Sequence, residues 1–220
     1  KKTMESTRTS HWSDYMDKNL IYSDEEFLKK KSSVSNILCD LAPSTILDVG
    51  CNTGHFSALA AQYGAKVIAI DNDETSISHL WKRAQGEGLD ILPLVVDLVL
   101  PSPGSGWGNR ERYSFLERSA KKFDVVLMLA VVHHLLVNGG IPLAELFKTV
   151  RSMAKTAVII EYVSPEDPMF QKIMRGRSSM FQDLTKEEFR KALRNEFPVV
   201  AEIASMMDGR RVLYMAGLER

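Results

Sequence analysis

At 220 residues with 45% hydrophobic side chains, the chain is long enough for one globular domain with a full core. Lys plus Arg total 28 and Asp plus Glu total 28, so the formal net charge is zero and no general field holds a polyanion; long nucleic acid is excluded as a default partner. Two cysteines make no disulfide framework, there is no secretory apolar segment at the start, and the longest apolar run, 125–132, is too short to cross a bilayer, which together fit a reducing cytoplasm and no membrane.

In chain order, the first 22 residues are polar, with His11, Trp12 and Tyr15 among charges, and read as a tail or flap before a single domain over 23–220. Ser23-Asp24-Glu25-Glu26 is a capping box that opens a helix towards Leu41, with Phe27, Val34, Ile37, Leu38 and Leu41 on its apolar face and Pro43 stopping it. Alternating units follow: strand 45–49, helix 54–63, strand 66–70, helix 74–85, strand 91–96. Strand 124–130, a helix over 141–153 and strand 156–162 come next. The continuous apolar runs of the later strands mark burial on both faces, and the alternation predicts a parallel sheet with right-handed crossovers. Thr185-Lys186-Glu187-Glu188 caps a helix to Asn195, and strands at 198–203 and 212–216 are spaced for an antiparallel hairpin across Met207-Asp208-Gly209. Arg175, Arg177, Lys186 and Arg190 read as a solvated helix face, with a local basic patch for nucleic acid as the alternative. Between the third and fourth strands, 101–120 is broken by Pro and Gly and forms a loop insertion at the edge of the sheet where ligands bind. Its Trp107 either covers a ligand or pins the loop to the core.

The stretch with the most chemical content is Leu47-Asp48-Val49-Gly50-Cys51-Asn52-Thr53-Gly54, set between a strand and a helix. Small residues there let backbone approach a ligand, and the helix start offers unpaired N–H groups. Asp71 ends the next strand about twenty residues on, where a nucleotide-binding fold places an acid on ribose hydroxyls. A dinucleotide site needs Gly-x-Gly-x-x-Gly, which is absent, and Asp48 beside the turn repels a pyrophosphate while suiting a cationic cofactor.

Asp48-Val49-Gly50-Cys51-Asn52-Thr53-Gly54 resembles the first motif of the class I S-adenosylmethionine-dependent methyltransferases, with Asn52 in place of the middle glycine, a residue that tolerates positive φ. Asp71, then Leu94-Val95-Val96-Asp97, then 123–130 followed by Val131-Val132-His133-His134-Leu135, resemble the family's later motifs in order, over about 34–216. Gly50-Cys51-Asn52-Thr53-Gly54, Pro101-Ser102-Pro103 with Gly106-Trp107-Gly108-Asn109-Arg110-Glu111-Arg112, and Ala130-Val131-Val132-His133-His134-Leu135 are similar to a bacterial nodulation-protein (NoeA-type) subgroup. The resemblance implies a Rossmann-like, doubly wound α/β fold: a mostly parallel seven-stranded sheet with an antiparallel last strand and helices on both faces. It implies S-adenosylmethionine as cofactor, with Asp48, Gly50, Cys51, Asn52 and Gly54 at the methionine end, Asp71 and Asn72 at the ribose, Asp97 and Leu98 at the adenine, and Leu129 and Ala130 beside them. Asp97 capping its own turn is the alternative.

Methyl transfer from a sulfonium needs alignment and exclusion of water, and a base only where the acceptor arrives protonated. His134 and His133 follow the fourth strand and are the candidate bases; adjacent side chains on extended backbone point oppositely, so one of them faces the pocket and His134 is preferred. A cavity-shaping role is the alternative for both, and their spacing is poor for a shared metal. Trp107, Asn109, Arg112, Glu161 and Tyr162 are candidates for contact with the acceptor, with ion pairing or a strand-end pair as the plainer reading; Met169, Phe170, Ile173, Met174, Met180 and Phe181 either fill core or wall an apolar acceptor site. His55 and His79 are expected to be ordinary helix or surface residues. The reading is a methyltransferase for a small-molecule or carrier-bound acceptor. Its rivals are a protein or RNA methyltransferase, a non-catalytic scaffold that keeps the fold, and a nicotinamide oxidoreductase.

Overall fold

The structure is a computed structural model that describes residues 23–218, so the expected tail or flap over 1–22, with His11, Trp12 and Tyr15, lies outside the described residues. Helix α1 (Asp24–Leu41) starts at the Ser23 capping box, in which Ser23 Oγ accepts from Glu26 N–H at 3.2 Å and Glu26 accepts in return from Ser23 N–H at 3.4 Å. It ends in a left-handed Ala42 just before Pro43. The chain then alternates β1 (Thr45–Val49), α2 (His55–Gln62), β2 (Lys66–Asp71), α3 (Glu74–Glu87) and β3 (Ile91–Val95). After the insertion come α4 (Phe115–Ser119), β4 (Phe123–Met128), α5 (Val132–Val137), α6 (Leu143–Met153) and β5 (Ala154–Val163). The chain closes with α7 (Pro168–Met174), α8 (Lys186–Glu196), β6 (Val199–Met206) and β7 (Arg211–Gly217).

These strands form one seven-stranded sheet in the order β3-β2-β1-β4-β5-β7-β6. Strands β1 to β5 pair in parallel, and β7 runs antiparallel to both β5 and β6, as the hairpin spacing predicts. Alternate residues of the central strands enter two separate cores. Leu47, Val126 and Val158 pack on one face with α6 and α8, while Ile46, Val125 and Ile159 pack on the other with α1, α2 and α3. A sheet buried on both faces is why these strands read as unbroken apolar runs. The chain reverses its direction of winding between β1 and β4, and the carboxyl ends of the strands there leave a crevice. Among the described residues, no helix is long and apolar enough to cross a membrane.

Three local features differ from expectation. The segment after β4 is a short helix, α5, and not extended backbone, because Ala130 turns the chain at φ 53° two residues beyond the strand. Helix α7 starts at Pro168, where no element is expected, with Asp167 accepting from Met169 N–H at 2.8 Å; its Phe170 and Met174 bury with Val137 and Val163 in a third cluster against which Ile173 and Phe181 pack, the core alternative for this stretch, while Met169 is half-buried and Met180 exposed. The insertion folds back on itself: Ser105 and Arg112 exchange backbone hydrogen bonds at 2.9 and 3.0 Å around a 3-10 turn at Trp107–Asn109.

Candidate active site

The bend after β1 is built on glycine geometry. Gly50 sits at φ 69° and a Cβ there would lie 2.5 Å from the Val131 side chain, so both the torsion and the space demand glycine. Gly50 and Cys51 donate together to the Ile70 carbonyl at 2.8 and 3.1 Å, which fastens the bend to β2. Asn52 takes φ 50°, and its N–H donates to Asp71 Oδ2 at 2.9 Å. Asp71 also accepts from Asp73 N–H at 3.0 Å, so the acid at the end of β2 is held at a fixed angle.

These residues open onto a cavity of about 470 Å³ at the carboxyl edge of the sheet. Asp48, Gly50, Cys51, Asn52, Asp71, Asn72, Asp97, Leu98, Leu129 and Ala130 all line it. Gly54 does not. Its Cβ would fall 2.2 Å from Leu80 of α3, so this glycine serves close packing of the helix start, not the cavity wall. Asp97 caps its own turn, Oδ1 accepting from Val99 N–H at 2.8 Å, and the residue also lines the cavity.

Asp48 is buried, with Ser57 Oγ donating to its Oδ2 at 2.5 Å. Burial pushes its carboxyl up to about 6; the Ser57 hydrogen bond and the Lys30 charge oppose the shift, and Asp71 adds to it. Asp71 is likewise raised, first by burial.

The two histidines part company because α5 is helical. His134 lines the cavity, whereas His133 is buried behind it, its ring 4.2 Å from that of His134 and stacked at 5.7 Å on Phe170. Among the described residues, neither ring nitrogen of His133 finds a hydrogen-bond partner. Burial holds it well below the usual histidine range, and it does not line the cavity. Burial, with Arg211 adding, brings His134 down to about 4, so it is a neutral imidazole near pH 7.

None of the five residues expected to meet an acceptor reaches the cavity. Trp107 is 88% exposed, covering nothing and pinning nothing, and Asn109 and Arg112 are exposed with it. The Ser105–Arg112 pairing carries the loop tip outward. Glu161 and Tyr162 lie inside the protein because β5 is covered on both faces; Glu161 accepts from Lys30 Nζ at 2.6 Å, and Tyr162 donates its hydroxyl to the Leu184 carbonyl at 3.0 Å.

In their place the far wall is made by Phe27 and Lys30 of α1, His55 and Phe56 of α2, and Arg211 of β7. Lys30 had a readable signal: it stands three residues after Phe27 and four before Val34, on the apolar stripe of α1, where a lysine is buried only for a reason. Arg211 had none, since β7 is buried on both faces and gives no alternation to single it out.

Comparison with known proteins places this geometry. The sequence family described as "Methyltransferase domain" matches residues 22–211. The chain is 37% identical over 194 residues to the nodulation protein NoeA of Rhizobium meliloti (strain 1021), covering 88% of this chain and 40% of that protein. It is 30% identical over 166 residues to a ubiquinone biosynthesis O-methyltransferase of Caulobacter vibrioides, covering 69% of this chain and 58% of the other. The chain thus spans about half the length of the curated relatives it matches. Among solved structures, magnesium protoporphyrin IX methyltransferase from Synechocystis PCC 6803 with bound SAH superposes with a TM-score of 0.58 at 17% identity, over 94% of this chain and 97% of that one, which shows a shared fold.

Proposed function

The chain belongs to the methyltransferase domain family, and from that membership we propose that its cavity holds S-adenosylmethionine and that it methylates a small-molecule or carrier-bound acceptor. The observation that carries the reading is the sign of the wall around the glycine bend. Asp48, Asp71 and Asp97 line it, and all three offer hydrogen-bond acceptors. That donor-hungry set fits an ammonium, ribose hydroxyls and an adenine amino group, and it repels a pyrophosphate. In this reading Asp48, Gly50, Cys51 and Asn52 take the methionine end, Asp71 and Asn72 the ribose edge, and Asp97 and Leu98 the base, with Leu129 and Ala130 flooring the crevice.

When bound, the cofactor supplies a methyl group already activated on a sulfonium. The chain therefore contributes position and dryness more than chemistry. Val131 packed over Gly50 fixes the floor, and neutral His134 stands on the acceptor side as a hydrogen-bond partner for the atom to be methylated. Its low basicity makes it an orienting group first, and a proton acceptor only for an acceptor acidic enough to yield one.

Calorimetric titration tests the cofactor directly. S-adenosylhomocysteine should bind and NAD should not; binding of NAD alone overturns the reading. Asp71→Ala should weaken S-adenosylhomocysteine at least about tenfold, while the two backbone donors it leaves unpaired cost about 1–3 kcal/mol of stability.

A further inference from the structure

Among the described residues, the cavity wall carries charges of both signs on different elements, with the Lys30 charge near enough to Asp48 for each to bear on the other. Asp48, Asp71 and Asp97 stand at the ends of β1 and β2 and just beyond β3, while Lys30 and Arg211 stand towards β5 and β7. Counter-ions for the two cations lie behind them. Lys30 Nζ reaches Glu161 at 2.6 Å, and Arg211 Nη1 lies 3.9 Å from the same carboxylate. Arg211 also grips Asp167 through Nε at 2.7 Å and Nη2 at 3.0 Å. All four side chains are buried, Lys30 at 3% and Arg211 at 1% exposure beside Glu161 and Asp167 at 0%, and of the four only the two cations border the cavity. The four side chains sum to zero charge, yet they form a dipole whose positive end is the wall. Within a few ångströms the near charge dominates, and this wall is screened by protein more than by water.

We propose that the acceptor is a small organic anion with an apolar or aromatic body, its charged group lying against Lys30 and Arg211 as a binding handle. The inference rests on the reading of the carboxylate wall as the cofactor side. Phe27 and Phe56 supply apolar surface beside the cations, with the Lys30 ammonium 5.2 Å from the centre of the Phe56 ring. His55 packs edge-on to Phe27 at 4.9 Å, and its buried Nε2 has no hydrogen-bond partner among the described residues, which leaves a polar atom in that wall for a ligand to meet.

Benzoate and benzamide, alike in shape and different in charge, are the probes. Each is titrated calorimetrically into the full chain saturated with S-adenosylhomocysteine. Benzoate should bind about tenfold or more tightly than benzamide. Lys30→Met should abolish that preference and Lys30→Arg should keep it, each variant being compared at saturating S-adenosylhomocysteine. Lys30→Gln, which removes the charge but keeps a hydrogen-bond donor for Glu161, serves if the Met variant does not fold. Equal binding of the two probes, no binding of benzoate, or a preference that survives loss of Lys30 overturns the proposal. Failure of S-adenosylhomocysteine to bind the unaltered chain instead sinks the cofactor reading, and the probes are then compared on the chain alone.

Discussion

At the scale of single residues, Asp48 and His134 carry opposite pH signatures from the same cause, burial. The Asp48 carboxyl is held up to about 6 in the fold, above its unfolded value, so the folded protein keeps that proton longer than the unfolded chain does. Stability therefore falls as pH rises from the ordinary carboxylate range towards 6. A cationic ligand prefers the ionised form. Affinity for S-adenosylhomocysteine, whose ammonium remains, should fall as pH drops through about 6, by up to about tenfold per pH unit, and Asp48→Asn should flatten that slope in calorimetry. A slope that persists in Asp48→Asn assigns the titration elsewhere. His134 is held down to about 4, so its neutral form is favoured by folding; the stability it costs appears as pH falls below the ordinary histidine range. His134→Ala should lower turnover roughly 10- to 100-fold once an acceptor is in hand, while leaving S-adenosylhomocysteine affinity within about twofold. Unchanged turnover removes the orienting role.

At the scale of elements, α1 and the insertion show how poorly local character predicts reach. Helix α1 looks like a capped outer helix, yet its Phe27 and Lys30 enter the cavity wall, and Glu26 of its capping box accepts from the Met207 N–H in the β6–β7 turn. The insertion looks like a ligand loop, yet the Ser105–Arg112 pairing folds it back into a small tip that leaves Trp107 out in solvent. The two should respond oppositely to substitution. Trp107→Ser should change stability by no more than about 0.5 kcal/mol in urea titration. Ser23→Ala should cost about 0.5–2 kcal/mol, because it strips a cap whose partner also ties down the β6–β7 turn. A Trp107 variant as damaged as the cap variant would mean that the tip carries packing the structure does not contain.

For the molecule as a whole, the cavity joins residues from both ends of the described chain, from Phe27 to Arg211, so a ligand that fills it should brace the entire domain. At about 100 times its dissociation constant, S-adenosylhomocysteine should contribute about 2.7 kcal/mol and raise Tm by roughly 5–10 °C in a thermal melt, with NAD at the same concentration giving no rise. What the sequence determined alone is what repeats locally. Strand–helix alternation, the glycine bend and the acids at 48, 71 and 97 each lie within one strand–turn–helix unit, where 3.8 Å per residue and a fixed crossover leave little freedom. Asn52 was readable for the same reason, since its φ of 50° is a property of one turn. Tertiary structure alone decided the opposite wall. Which of two neighbouring histidines faces the cavity depends on a helix phase set by Ala130, and Gly54 answers to Leu80 on another helix. Lys30 and Arg211 meet around Glu161 only because β7 inserts beside β5 and α1 lies across that end of the sheet. Charges brought together from distant parts of a chain leave no spacing to read, because the distance between them is fixed by packing and not by the backbone that joins them.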